Sequence, residues 1–93
     1  MSFHVEYDPL VKSKDIPKLD SVIKGRIRKS IVNKLVERPE VFGVALRENL
    51  KGIWKLRVGD YRVLFVIQEN TVKILIIEHR SLVYKAVLQR FGI

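Results

Sequence analysis

The chain has 93 residues, with 18 Lys and Arg against 10 Asp and Glu, a formal charge of +8 and no cysteine. That length supports one core rather than two, and the lack of cysteine excludes both a disulfide framework and a thiolate metal site. A content of 47% hydrophobic and 30% charged residues reads as globular, while the positive excess points to polyanions, nucleic acid first, or to an acidic protein partner.

His4 and His79 are the only imidazoles, so neither a metal centre nor a cofactor is expected. No basic segment followed by a long apolar run opens the chain, and the longest apolar stretches, VLFVI and ILII, are too short to span a bilayer. A soluble, cytoplasmic protein with no membrane partner is the expectation.

In chain order, FHVEY alternates apolar and polar residues and stops at Asp8-Pro9, which predicts a short strand closed by a turn. Between Pro9 and Lys18 a first helical segment is expected, with Pro17 near one of its ends. Leu19, Ile23, Ile27, Ile31 and Leu35 then recur every four residues, joined by Val22 and Val32, and predict an amphipathic helix from about Asp20 to Glu37. Its opposite face carries Lys24, Arg26, Arg28, Lys29, Lys34 and Arg38, either a solvated helix face or a surface for phosphates or an acidic partner segment. Pro39 disfavours helical geometry at Arg38 and ends the helix, after which a connecting stretch runs through Asn49.

The remainder reads as strands: about Ile53 to Val58, Tyr61 to Gln68 and Thr71 to Glu78, separated by Gly59-Asp60 and Glu69-Asn70. Both pairs suit two-residue hairpin turns, since Gly and Asn tolerate positive φ. A short C-terminal helix follows, with Ser81 as N-cap and Val83, Val87 and Phe91 in helical register. With no repeat, low-complexity tract or linker, residues 1–93 are expected to form one domain. The fold class expected is α+β: an N-terminal strand, a helical region packed on an antiparallel sheet built of hairpins, and a short C-terminal helix.

Taking Gly59-Asp60 as the loop sets Val58 opposite Tyr61, Arg57 opposite Arg62, Leu56 opposite Val63 and Trp54 opposite Phe65. Continuing through Glu69-Asn70 sets Phe65 against Ile74, Val63 against Ile76 and Arg62 against Ile77. One face is then Trp54, Leu56, Val58, Tyr61, Val63, Phe65, Ile67, Val72, Ile74 and Ile76, the core side. The other bears Leu64, Val66, Leu75 and Ile77 under the C-terminal helix, with Lys55, Arg57, Arg62 and His79 beyond them.

Like charges directly opposed across strands destabilise by a few tenths to about 1 kcal/mol, so stability alone does not select Arg57 facing Arg62. An anion lying across the hairpin turns that repulsion into binding, and guanidinium forks match phosphate oxygens. The plainer alternative lets the two arginines splay into water or pair with Glu48 or Glu78. EHRSLVY brings His79, Arg80 and Tyr84 to the end of the neighbouring strand, beside the same cluster.

A strand, a helical region, LRENLKG leading into WKLRVGDYRVLF, and an apolar strand ending in HRSLVY resemble, over nearly the whole chain, the RelE/ParE superfamily of bacterial and archaeal toxins, the RelE branch above all. The resemblance implies a compact α+β fold with an antiparallel sheet and neutralisation by a cognate antitoxin. In the RelE branch it implies a ribosome-dependent mRNA endonuclease; the ParE branch shares the scaffold but poisons DNA gyrase. By position, Lys55 and Arg57 match the paired basic residues before the turn and Arg62 the basic residue after the turn tyrosine. Arg80 and Tyr84 match the C-terminal Arg and Tyr. The turn is shorter here than in well-known RelE members and HRSLVY is tighter than some C-terminal motifs, so Arg80 and His79 compete for one role.

Metal-free RNA cleavage of this kind uses the substrate's own 2′-hydroxyl, so the protein must supply a base, an acid and positive charge at the phosphorane. The expected roles give the phosphate oxygens to Arg57 and Arg62, the leaving 5′-oxygen to Arg80 or His79, and a share in activating the 2′-hydroxyl to Lys55 or Tyr84. Among these, imidazole is the group whose ordinary pKa, about 6.5, lies near neutrality. Tyr84 has two other readings, a stacking platform for an unpaired base or an ordinary residue of an amphipathic helix. A ParE-like gyrase inhibitor, or a basic nucleic-acid-binding relative without activity, would leave the hairpin cations as contacts to the antitoxin or to DNA.

Overall fold

In the computed structural model, which describes residues 2–93, five strands make one sheet: β1 (His4–Tyr7), β2 (Val44–Ala45), β3 (Trp54–Val58), β4 (Tyr61–Gln68) and β5 (Thr71–His79). Their spatial order is β1-β5-β4-β3-β2. The two hairpins β3-β4 and β4-β5 are antiparallel, as their two-residue connections require. β1 instead runs parallel to β5, His4 beside Thr71 and Tyr7 beside Ile74, so the sheet is mixed at that edge. The whole helical region separates β1 from the hairpins, and no tight turn fixes its direction.

Helical structure begins after Asp8-Pro9 with a wide π-type turn over Val11–Asp15 and a 3-10 turn over Ile16–Lys18 that takes in Pro17. Helix α1 (Ser21–Ser30) is capped by Asp20, whose carboxylate accepts the Ile23 N–H at 2.9 Å, and it runs on as a π-type turn over Ile31–Leu35. Arg38, held out of helical geometry by Pro39, has φ −139° and closes the segment. Leu19, Ile27, Ile31 and Leu35 are buried and Ile23 partly so, but Val22 and Val32 are 69% and 54% exposed. Each of those valines sits one residue, about 100° of rotation, from the four-residue repeat, which turns it to solvent.

The stretch expected to be a plain connection contains a short helix α2 (Pro39–Phe42), the edge strand β2 and a 3-10 turn over Glu48–Leu50. Gly43 is needed between the first two, because a β-carbon there would lie 2.6 Å from Phe65 Cζ and 2.8 Å from the Pro39 carbonyl oxygen.

Both faces of the sheet are covered. On one, α1 and the preceding turns pack on Leu56, Val58, Val63, Phe65, Val72, Ile74 and Ile77. On the other, helix α3 (Val83–Phe91) sets Val83, Ala86 and Val87 against Ile53, Leu64 and Ile76. Leu82, not Ser81, occupies the N-cap position of α3, and Phe91 is 40% exposed rather than part of the core.

The β3-β4 register matches the sequence expectation at every pair, and Gly59 supplies the positive φ of its turn, 57°. In the second hairpin it is Glu69, with φ 54°, that takes the left-handed conformation expected of Asn70. Phe65 faces Ile74 as expected, but the register then slips at a β-bulge: Leu64 pairs with Ile76, Val63 with Ile77, Arg62 with Glu78 and Tyr61 with His79. Leu75 is the extra residue. Ile76 therefore belongs to the α3 side and Ile77 to the α1 side, the reverse of the expected assignment, and every side chain up to His79 changes face with them.

A buried ion pair holds this bulge. Asp15 is 1% exposed; its Oδ2 accepts the Ile77 N–H at 2.9 Å and an Arg90 guanidinium N–H at 2.9 Å, while Oδ1 takes the second arm of Arg90. Arg90 also donates to the Leu75 carbonyl at 3.3 Å. One clasp thus joins the N-terminal turns, the bulge and the last turn of α3, and satisfies backbone groups at the bulge. The hydrogen bond to Asp15 holds the Arg90 guanidinium above even its ordinary range, against the opposing effect of burial. Among the described residues no helix is long and apolar enough to cross a membrane.

Candidate functional site

The β3-β4 hairpin presents Lys55, Arg57 and Arg62 on the α3 side of the sheet. Lys55 stands opposite Leu64, which is buried under α3, and Arg57 directly opposes Arg62. Arg62 Nη1 donates to the carbonyls of Gly59 and Tyr61, both at 2.9 Å, so its guanidinium is drawn back over the turn and the repulsion is partly relieved. Neither arginine has a carboxylate within ion-pair distance among the described residues; Glu78, across from Arg62, instead pairs with Lys18 Nζ at 3.3 Å. Its other oxygen accepts the His79 N–H at 3.0 Å. Among the described residues Lys55, Arg57 and Arg62 thus have no carboxylate partner.

Arg80 follows β5 directly. Its N–H donates to the Asp60 carbonyl at 2.8 Å and its Nε lies 4.0 Å from Asp60 Oδ1, which fastens the strand end to the tip of the β3-β4 hairpin. Tyr84, 49% exposed, stands in the first turn of α3 beside the buried Val83, on the helix that covers the cation-bearing face.

His79 departs from the expected cluster. Because Leu75 bulges, His79 pairs with Tyr61 on the α1 side, with ring centroids 5.5 Å apart in an edge-to-face arrangement. The sheet therefore lies between His79 and the Arg57-Arg62 pair. Its Nδ1 accepts the Ser81 N–H at 3.2 Å and lies 2.8 Å from Ser81 Oγ. The neutral ring must then carry its proton on Nε2. Ser81, read from sequence as the cap of α3, serves the imidazole instead.

On that α1 side is an open cleft of about 320 Å³, bounded by Asp20, Ile23 and Arg26 of the helix and by Val58, Asp60, Tyr61 and His79 of the sheet. Arg26 reaches the hairpin tip, its Nη2 3.2 Å from where a Gly59 β-carbon would stand. Asp60, Tyr61 and Ser81 were not singled out as site residues from sequence. Arg26, counted there among the cations of the face opposite the core stripe, instead reaches the hairpin, as its place three residues after Ile23 and one before Ile27 allows.

Comparison with known proteins bears on the family and the fold. The family model of the ParE toxin of the type II toxin-antitoxin system parDE matches residues 5–84. Toxin RelE of Mycobacterium tuberculosis (strain H37Rv) is 31% identical over 75 residues, 78% of this chain and 77% of that protein. Among solved structures, a RelBE toxin-antitoxin complex from Mycobacterium tuberculosis superposes with a TM-score of 0.80 at 29% identity, covering 86% of this chain and 100% of the matched one. A mutant of the E. coli toxin RelE in the free state shares the fold, with a TM-score of 0.72 at 23% identity over 98% of this chain and 99% of that one.

Proposed function

The chain belongs to the RelE/ParE superfamily, in its RelE-like branch, as the toxin of a type II toxin-antitoxin system, and from that premise we propose that it is a metal-independent, ribosome-dependent mRNA endonuclease. The observation that carries this reading is Arg57 opposed to Arg62, with no carboxylate partner among the described residues, on the side of the sheet covered by the helix of Tyr84.

In the proposed reaction the 2′-oxygen attacks the adjacent phosphorus, its proton passes to a base, and the 5′-oxygen leaves with a proton from an acid, giving a cyclic 2′,3′-phosphate and a free 5′-hydroxyl. Arg57 and Arg62 hold the non-bridging oxygens, where their charge stabilises the phosphorane more than the ground-state diester. Arg80, at the strand end, serves the leaving 5′-oxygen. Lys55 and Tyr84 are the groups on the α3 side suited to orient and activate the 2′-hydroxyl, with Tyr84 also available as a stacking surface. In this reading His79, which stands on the other face of the sheet, is given no part at the scissile bond. The cognate antitoxin is the protein partner, and the ribosome presents the mRNA.

The match to a ParE model favours one alternative, inhibition of DNA gyrase without nuclease activity. Addition of the purified protein to a translating extract, with mapping of mRNA ends and a parallel supercoiling assay, separates the two. Codon-phased ends that vanish with Arg62→Ala support the nuclease; intact mRNA with blocked supercoiling supports the gyrase inhibitor.

A further inference from the structure

The proposed chemistry leaves unused the cleft on the far side of the hairpin, which His79 enters only because Leu75 bulges. Its floor is apolar, from Ile23 and Val58, and its rim aromatic, from Tyr61 and His79. The imidazole is held in place by Ser81 at Nδ1, so Nε2 is the nitrogen left to meet a ligand. Asp20 spends one carboxylate oxygen on the Ile23 N–H, and Arg26 has no carboxylate within ion-pair distance among the described residues.

Two carboxylates, from Asp20 and Asp60, argue against a bare phosphate in this cleft. An apolar floor, two aromatic edges and a mixture of donors and acceptors suit a flat, uncharged, hydrogen-bonding ring. At about 320 Å³ the space falls at the small end of ligand sites. The sheet separates it from Arg57 and Arg62, which lie on the opposite face just short of the Gly59-Asp60 tip, and Arg26 and Arg80 meet the hairpin at that tip. We propose that this cleft is a nucleobase subsite, in which a base flanking the scissile phosphate sits against Tyr61 and His79 while the backbone turns around the hairpin tip. This deepens the nuclease reading and rests on it for the identity of the polymer; base binding itself does not require cleavage.

The test uses the full chain and the four ribonucleoside 5′-monophosphates, followed by NMR of the histidine rings. Only two histidines are present, so His4 serves as the internal control. Saturable shifts of the His79 ring, with His4 unmoved and one or two bases preferred, are expected. Tyr61→Leu should weaken binding by about tenfold, as expected for loss of one stacked base, and Arg26→Ala, at an exposed position, should weaken it without any demand on folding. Ribose 5-phosphate shifting His79 as strongly as the nucleotides would overturn the subsite, because phosphate alone would then be read. So would an unmoved His79 ring, or His79 and His4 responding alike. Each of those outcomes leaves the mRNA-end assay to decide the nuclease independently.

Discussion

Arg57 and Arg62 face one another across a two-residue hairpin, and among the described residues the relief comes from the pair of hydrogen bonds from Arg62 to the Gly59 and Tyr61 carbonyls. If the residual repulsion is a cost carried for anion binding, stability and activity should move in opposite directions when it is removed. Arg57→Thr replaces one charge with a residue suited to strands. Urea unfolding should show it more stable by a few tenths to about 1 kcal/mol, while codon-phased cleavage falls by about 100-fold or more, as for loss of a donor to a transition-state oxygen. Unchanged cleavage would remove Arg57 from the site. A second residue sets the alkaline behaviour. Burial pushes the Tyr7 phenol above its ordinary range, with Arg28 pulling the other way more weakly. A raised pKa means the fold favours the protonated phenol, so this contribution is complete below the ordinary value of about 10 and is lost as pH rises from there through the folded value. Melting curves taken from pH 9 upward should fall more steeply for the wild type than for Tyr7→Phe, whose phenyl ring has no proton to lose.

At the scale of elements, the bulge in β5 decides which groups meet. Its sign in the sequence is the run Ile74-Leu75-Ile76-Ile77, four consecutive apolar residues where strict alternation demands polar ones. A continuous apolar run is equally what a strand covered on both faces shows, and both descriptions hold here, so the slip of register was not separable from simple burial. What fixes the slip is distant in sequence: Asp15 bonds the Ile77 N–H, and Arg90 bonds both Asp15 and the Leu75 carbonyl. Nothing local marks Asp15 as buried in its basic surroundings, KSKDIPK. The clasp makes a distinctive prediction. Asp15→Ala strands a largely buried guanidinium and should cost about 3–5 kcal/mol in urea unfolding. Replacing both partners, Asp15→Leu with Arg90→Met, commonly restores or raises stability at buried pairs. Here it should recover only part, because the Ile77 N–H loses its acceptor, and a buried group left unpaired costs about 1–3 kcal/mol. Complete recovery by the double variant would show that the backbone bonds at the bulge contribute nothing.

For the molecule as a whole, the fold class and the first hairpin were legible because short-range rules set them: a two-residue turn fixes the register, and periodicity fixes which helix positions enter the core. The parallel edge strand, the bulge and the far-side location of His79 depend on contacts between segments more than sixty residues apart, which no local pattern encodes. Charge shows the same division. The excess of +8 says that a polyanion is attracted but not where, and only three of the eighteen Lys and Arg side chains lie within ion-pair distance of a carboxylate among the described residues. A diffuse basic surface and a focused phosphate site predict different salt dependences. If Lys55, Arg57, Arg62 and Arg80 are the phosphate contacts, a short single-stranded RNA should bind with a slope of log K against log salt of about −3, at about −0.7 per phosphate neutralised. Replacing Arg57 and Arg62 together with Gln should bring the slope to about −1.4 by the same relation, whereas replacing Arg28 and Lys29, exposed on α1, should leave it near −3. Fluorescence anisotropy between about 50 and 200 mM salt, the range over which phosphate contacts dominate affinity, reads all three slopes. Equal reductions from the hairpin pair and from the helix pair would mean that the attraction is spread over the surface and that the hairpin arginines hold no particular phosphate.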